Sequence, residues 1–460
     1  MKLSALPYLL LVTLTAPALA ADGALDPTFH GGQPVTVDFL GQGAGAKAVA
    51  AEGGGRIVFA GNTAIGALNS DFAIGRLLPS GALDASFGGD GRVVVPFDLQ
   101  PFNFDGAEGV AILPDGRVVA AGPVTGPAGG PPVVCGVVRL ETDGDLDPTF
   151  GGDGRVTFAF TTDPGDPTET ADETRCVALA LQPDGKILVA GTAVLDDPPD
   201  GYHDAFVARL ETDGDLDTTF ISLVPGFWYS QGPGTNEGHA LRLAPNGTIW
   251  VAGASGTSIS DNDFALFRVL ANGSPDGAYG TGGEVSFESG GPFPDAEEVL
   301  YAIDLAQNGD VVVGGRVGPV AEVPHCFVGR RSPAGTFVAA GWFEGLTDCA
   351  IEGLALQSDG LIVTAARLPN VGAADEGNFL IRRESPLGGS DGFYARTVDF
   401  SPGVNDDGDL SYAVALSGGR PVVVGTVDSG TVQVAGIVRL QTELVFRDGF
   451  ESGNKSAWSF

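Results

Sequence analysis

Residues Ala178 to Gly191 read ALALQPDGKILVAG: an apolar run, a Pro-Asp-Gly turn and a second apolar run. The pattern returns as GVAILPDGRVVAAG from Gly109 to Gly122 and as ALRLAPNGTIWVAG from Ala240 to Gly253. Weaker copies begin at Ala48, Ala302, Gly353 and Ala413, so successive copies start 61, 69, 62, 62, 51 and 60 residues apart. Glycine after Asp or Asn supplies the positive φ of a tight hairpin. The near-continuous Val, Ile, Leu and Ala runs suit strands covered on both faces. A third apolar run follows each copy, as in DFAIGRL (Asp71 to Leu77) and DAFVARL (Asp204 to Leu210). Then come a polar turn and LDxxFGGDGRV, at Leu83 to Val93 and Leu146 to Val156. Four short strands repeated about every 60 residues predict a β-propeller blade, whereas β-helices repeat at much shorter periods. The expected class is all-β, a seven-bladed β-propeller of four-stranded antiparallel blades.

The two ends of the chain are complementary. Leu25 to Phe29 (LDPTF), followed by Val35 to Phe39, is the last quarter of a repeat with nothing before it. The seventh copy stops after Gly436 to Leu440 and lacks that quarter. The N-terminal strand is therefore expected to close the ring, residues 33–39 pairing near 436–440 and removing an exposed sheet edge. Ahead of it, Lys2, the apolar Leu9 to Leu14 and Ala18-Leu19-Ala20 read as a cleaved signal peptide over residues 1–20. The propeller is expected over 21–445, with a separate tail over 446–460.

Composition excludes several classes. Of 460 residues, 58 are acidic and 24 basic, a formal charge of −34. A pI near 4.1 argues against nucleic-acid binding, which needs clustered Lys and Arg. With 43% hydrophobic and 18% charged residues the chain is not disordered, and no Gly-X-Y period points to collagen. No later apolar stretch is long enough to span a membrane. A monomer outside the cytoplasm, extracellular or periplasmic, is expected, where disulfides form.

LDPTFGGDGRV together with ALALQPDGKILVAG and DAFVARLETDGDLD resembles the bacterial delta-60 repeat family of β-propellers, over about residues 23–440. The resemblance implies the fold and secretion. It implies no chemistry and no catalytic residues. The tail, FRDGFESGNKSAWSF from Phe446 to Phe460, is similar to a short terminal segment of secreted bacterial proteins, which implies a sorting role.

A structural group in a propeller recurs once per blade, whereas a catalytic group is needed once per chain. By that filter Arg76, Arg139, Arg209, Arg268, Arg330, Arg382 and Arg439 are structural, each pairing with an Asp of the LD element, as Arg139 with Asp147. The Asp143 to Asp147 and Asp213 to Asp217 runs (DGDLD) read either as hairpins or as the start of a calcium loop; the glycine and final Glu of an EF-hand are missing. An acidic loop with Asp163, Asp166 and Asp172 is either a solvated surface or a calcium site. Phe227, Trp228 and Tyr229, with Trp250, either stack on a sugar or pack an outer strand. The four histidines show no metal-ligand spacing, and no nucleophile elbow appears.

The four cysteines allow three pairings. Cys135 and Cys326 each lie four residues before a repeat arginine, at the start of a third strand; Cys176 and Cys349 lie just before the next first strand. The repeat therefore predicts Cys135–Cys176 and Cys326–Cys349. Glu108, Arg175, Glu237, His239, Glu298 and Asp348 lie just before first strands and are the candidates for a ligand face. The function expected is a binding or scaffold module for a protein or glycan. The alternative is a calcium-assisted periplasmic hydrolase or lyase at the central channel, and a third reading is a surface coat acting through its acidity.

Overall fold

The structure is a computed structural model. It describes residues 23–441 except 41–42, 67, 162–170, 196–201, 221–223, 231–233, 258–261, 290–295, 319–323, 343–348, 368–378, 385–393, 399, 401–408 and 430–431. The leader over 1–20, the tail over 446–460, Asp163, Asp166 and Asp348 lie outside these residues.

Each repeat forms an antiparallel meander. Ala44–Ala51, Ile57–Gly66, Asn69–Leu77 and Arg92–Val95 pair in that order. The described strands make five four-stranded sheets and one eight-stranded sheet. The eight-stranded sheet is two such meanders joined by one parallel bridge between Glu173 and Val133. The last meander is Leu410–Ser417, Arg420–Asp428 and Gln433–Arg439, completed by Val35–Val37 from the other end of the chain. Its register is Val35↔Ile437, Thr36↔Gly436 and Val37↔Ala435, a segment that overlaps the expected 436–440 and starts one residue before it. The first strands of successive meanders lie against one another, and Leu410–Ser417 lies against Ala44–Ala51, so the circuit is closed.

The core sits between neighbouring meanders. Val58, Ala60, Phe72 and Ile74 of the first meet Val118, Ala120, Val138 and Leu140 of the next. Both faces of the middle strands are thus buried, as their unbroken apolar runs require.

The recurring arginine bolts one meander to the next. Arg76 Nε donates to Asp84 Oδ2 at 2.9 Å, and its Nη1 donates to Thr142 O of the following repeat at 2.6 Å. Its guanidinium lies 4.5 Å from the centre of the Phe87 ring. Arg139 repeats this with Asp147 (2.6 Å), Thr212 O and Phe150. Arg209 does so with Asp217 (2.7 Å), Ala271 O and Phe220. Thr149 and Thr219 cap the same aspartates through amide and hydroxyl. The LDxxF element is therefore a socket for one guanidinium: the Asp pairs, the Ser or Thr orients and the Phe stacks.

Two repeats depart from the expected ladder. In the fifth the LDxxF element is missing, and Arg330 pairs instead with Asp310 at 2.8 Å. In the sixth Arg383, not Arg382, stands opposite Val363, the position Arg76 holds opposite Val58. Adjacent residues of a strand face opposite ways, so the tandem arginines hid a one-residue shift.

Both expected disulfides are present. Cys135–Cys176 and Cys326–Cys349 have Cα separations of 5.3 and 5.1 Å, and each joins a third strand to the next first strand. Cys176 lies within Glu173–Leu181 rather than ahead of it, because that first strand begins before the repeated motif.

Candidate functional site

Every first strand except Gly109–Ile112 carries an irregularity at one place. Ala46 pairs with Gly61 and Ala48 with Ala60, which leaves Lys47 as an extra residue. The same β-bulge isolates Val177, His239, Tyr301, Glu352 and Tyr412. Glu108 holds the equivalent place just ahead of Gly109, its amide bonded to Ala121 O. A bulge re-aims one side chain out of the alternating pattern. Here it turns the seven residues into one cavity of about 350 Å³, lined by all of them. The glycine ending most motif copies makes the bulge possible. A Cβ on Gly61 would sit 1.9 Å from Gly45 O, and one on Gly253 would sit 1.7 Å from Glu237 O.

The frame repeats, but the residue on it varies: seven positions carry five residue types. Around the cavity run Lys47, Glu108, Val177, His239, Tyr301, Glu352 and Tyr412. The Lys47 ammonium stands 3.5 Å over the Tyr412 ring. Glu108 is partly accessible yet deep in the channel. Burial raises its carboxyl pKa, the Lys47 charge opposes this, and Glu352 adds to it. Glu352 is held by Arg367 at 3.2 Å. One turn along, Arg242 faces Asp304 at 3.4 Å. The His239 ring lies 5.1 Å from that of Tyr301, whose hydroxyl is pushed up to about 12, mainly by burial.

Behind the cavity wall, Glu237 bridges two imidazoles. His203 Nδ1 and His239 Nε2 each lie 3.0 Å from its carboxylate. Burial alone would raise Glu237, but the two imidazole contacts outweigh it and hold the carboxyl well below its usual range.

Of the candidates expected from sequence, Glu108 and His239 line the cavity and Glu237 orients His239. Arg175 is exposed and pairs with Glu173 at 2.7 Å. Glu298 is buried and absent from the cavity wall; its carboxylate accepts from Ser289 N at 2.9 Å, so it anchors a loop. Asp172 is exposed, its amide bonded to Val194 O. The DGDLD runs are hairpins: Asp147 is taken by Arg139 and Arg117, and Asp217 by Arg209 and Lys186. Among the described residues no group of three or more His, Cys, Asp or Glu is arranged to hold a metal ion. Phe227 and Trp228 are buried, Trp228 packing on Phe267 and Trp250 on Tyr279, so these rings are core. Lys47, Tyr301, Glu352 and Tyr412 were not singled out from sequence. The signal was there: each is the residue immediately before a motif copy.

Buried carboxylates set the pH response. Burial pushes Asp71 and Asp204 up to about 6 and Glu298 up to about 7. A folded pKa above the unfolded value gives stability that is present at low pH and lost as pH rises through the folded pKa. Asp26, Asp84, Asp147 and Asp217 act oppositely. Burial alone would raise them, but Ser, Thr, Arg and Lys partners hold them low, so their contribution is lost as pH falls below about 4. Thermal unfolding followed by circular dichroism from pH 3 to 9 is expected to show a maximum at about pH 4–5. A stability still rising between pH 6 and 8 would contradict this assignment.

Four segments, 55–87, 113–150, 182–220 and 244–278, match a family described as a domain of unknown function (DUF5122) beta-propeller. The fold is a β-propeller. The matched segments cover just under a third of the chain and contain the sockets of Arg76, Arg139, Arg209 and Arg268. The cavity residues Lys47, Glu108, Val177 and His239 fall just outside them, so the match describes the frame. No curated protein matches the chain. Among solved structures, virginiamycin B lyase from Staphylococcus aureus is similar at 11% identity and TM-score 0.46, over 88% of this chain and 99% of that one. A protein of unknown function from Dyadobacter fermentans is similar at 15% and 0.44, over 89% and 98%. Puromycin hydrolase is similar at 15% and 0.43, over 89% and 53%. At such values the likeness assigns neither an activity nor a residue to this propeller.

Proposed function

We propose that the chain is a secreted, seven-bladed propeller that acts as a binding module and takes its ligand into the central channel. The observation that carries this reading is the ring of inward residues: a repeated backbone device presents a varied set of side chains, Lys, Glu, Val, His and Tyr, to a single cavity. A frame selected only for packing would be expected to repeat the residue as it repeats the arginine. The closed circuit of first strands supports seven blades. The two disulfides support export. The test is a screen of the purified chain on peptide and glycan arrays, repeated with His239→Ala and Tyr301→Ala. Loss of binding at unchanged thermal stability is expected. Ligand binding unaffected by either substitution would refute a site in the channel.

A second reading, a periplasmic hydrolase or lyase in the same channel, is favoured by His239. Its imidazole is oriented by Glu237 while its ring lines the cavity, the arrangement of a general base. Turnover of a bound ligand, abolished by His239→Gln, would move the assignment to this reading. Any calcium it uses is assigned to the acidic loop of Asp163, Asp166 and Asp172. Loss of Ca²⁺ binding heat in the triple Asp→Asn variant checks that assignment.

A further inference from the structure

Among the described residues, the channel holds an ammonium and a carboxyl that have no salt-bridge partner. The Lys47 ammonium has three donors, but among the described residues it makes no hydrogen bond or salt bridge; its close contact is the Tyr412 ring face. Glu108, on the neighbouring first strand, accepts no hydrogen bond among the described residues. The other charges on the wall are paired: Glu352 with Arg367, Arg242 with Asp304. Lys47 and Glu108 line the same cavity from neighbouring repeats, and the Lys47 charge opposes the rise that burial gives the Glu108 carboxyl. Yet they do not close into a salt bridge.

An unpaired charge in a confined site is costly. A neutral sugar would offer a counter-charge to neither group, and a simple anion or cation to only one. A ligand carrying both signs a few ångströms apart satisfies both. A cavity of about 350 Å³ is at the small end of ligand sites, and across it Val177, Tyr301 and the His239 ring offer an apolar and aromatic wall.

Resting on the channel as the binding site, we propose that its ligand is a small zwitterion, a free amino acid or short peptide, with its carboxylate on Lys47 and its ammonium on Glu108. The aromatic wall then receives the side chain, which sets the preference among amino acids.

The test is calorimetry of the full chain with the common amino acids and a set of dipeptides, each compared with its N-acetylated and its C-amidated form. Neutral oligosaccharides serve as a third probe. Binding of the free forms is expected, weakened at least tenfold by either modification. In Lys47→Met, amidation of the ligand should no longer matter; in Glu108→Gln, acetylation should no longer matter. A purely structural role for either residue would not produce this exchange of preference. Two results overturn the proposal in different ways. A neutral glycan whose binding falls in Tyr301→Ala but not in Lys47→Met removes the zwitterion and keeps the channel. Ligand binding that no ring substitution alters removes both.

Discussion

Replacing Asp26 with alanine is expected to lower the free energy of unfolding by about 3–5 kcal/mol, the usual cost of removing one partner of a buried ion pair. Asp26 is 1% exposed and Arg439 5%. Asp26 Oδ2 accepts from Arg439 Nε at 2.8 Å and from Arg420 Nη1 at 2.9 Å. Thr28 and the Phe29 ring complete the socket. The same bolt joins other blades, but here it joins the two ends of the chain, so its loss also loosens the Val35–Val37 strand. The control is Asp90→Ala, which removes an exposed pairing with Arg92 and is expected to cost under about 1 kcal/mol. Urea unfolding of both variants measures the difference, and equal effects would contradict the account. Deleting residues 23–39 goes further: it bares the edge of Gln433–Arg439, and light scattering should then detect association.

Removing one interblade disulfide is expected to have an effect of similar size. In the double variant Cys135→Ala, Cys176→Ala, a link across 41 residues is lost. Chain entropy alone puts the cost at about 3–4 kcal/mol. Both cysteines are fully buried, and alanine leaves no unsatisfied polar group behind. The bridge lies beside the Glu173–Val133 pairing, which among the described residues joins two meanders into a continuous sheet. The denaturant midpoint of the variant should fall, and that of the wild type under dithiothreitol, which also opens Cys326–Cys349, should fall at least as far. A wild type insensitive to reductant after unfolding and refolding would show that the bridge contributes nothing.

The fold was legible because its devices repeat. Turn glycines, apolar runs and the Arg–Asp spacing recur, and the orphan LDPTF at the start matches the missing quarter at the end. The disulfides were legible for the same reason. The site was half legible. The search for unrepeated residues looked just ahead of the first strands and found Glu108 and His239, but it included Glu298 and Arg175. Those positions lie before the bulge, where side chains point into loops or solvent rather than into the channel. The constant offset, one residue before each motif copy, was in the sequence, but a bulge leaves no mark in hydrophobic periodicity, so nothing there showed that this offset faces inward. Arg382 was taken for the repeat arginine in place of Arg383 on the same ground: a single-residue shift inverts the face, and apolar neighbours on both sides give no phase.

The central claim is that the residue immediately before each motif copy points into a shared channel. Cysteine accessibility tests it directly, since the four native cysteines are all in disulfides. Lys47→Cys, Glu108→Cys, His239→Cys, Tyr301→Cys, Glu352→Cys and Tyr412→Cys are each treated, in the folded protein, with a small charged thiol reagent. The preceding residues Ala46, Ala107, Leu300 and Ile351, all fully buried, are replaced in the same way as controls. The account predicts labelling at all six ring positions and protection at the four controls. Comparable labelling of both sets, or labelling of only a scattered few ring positions, would contradict it.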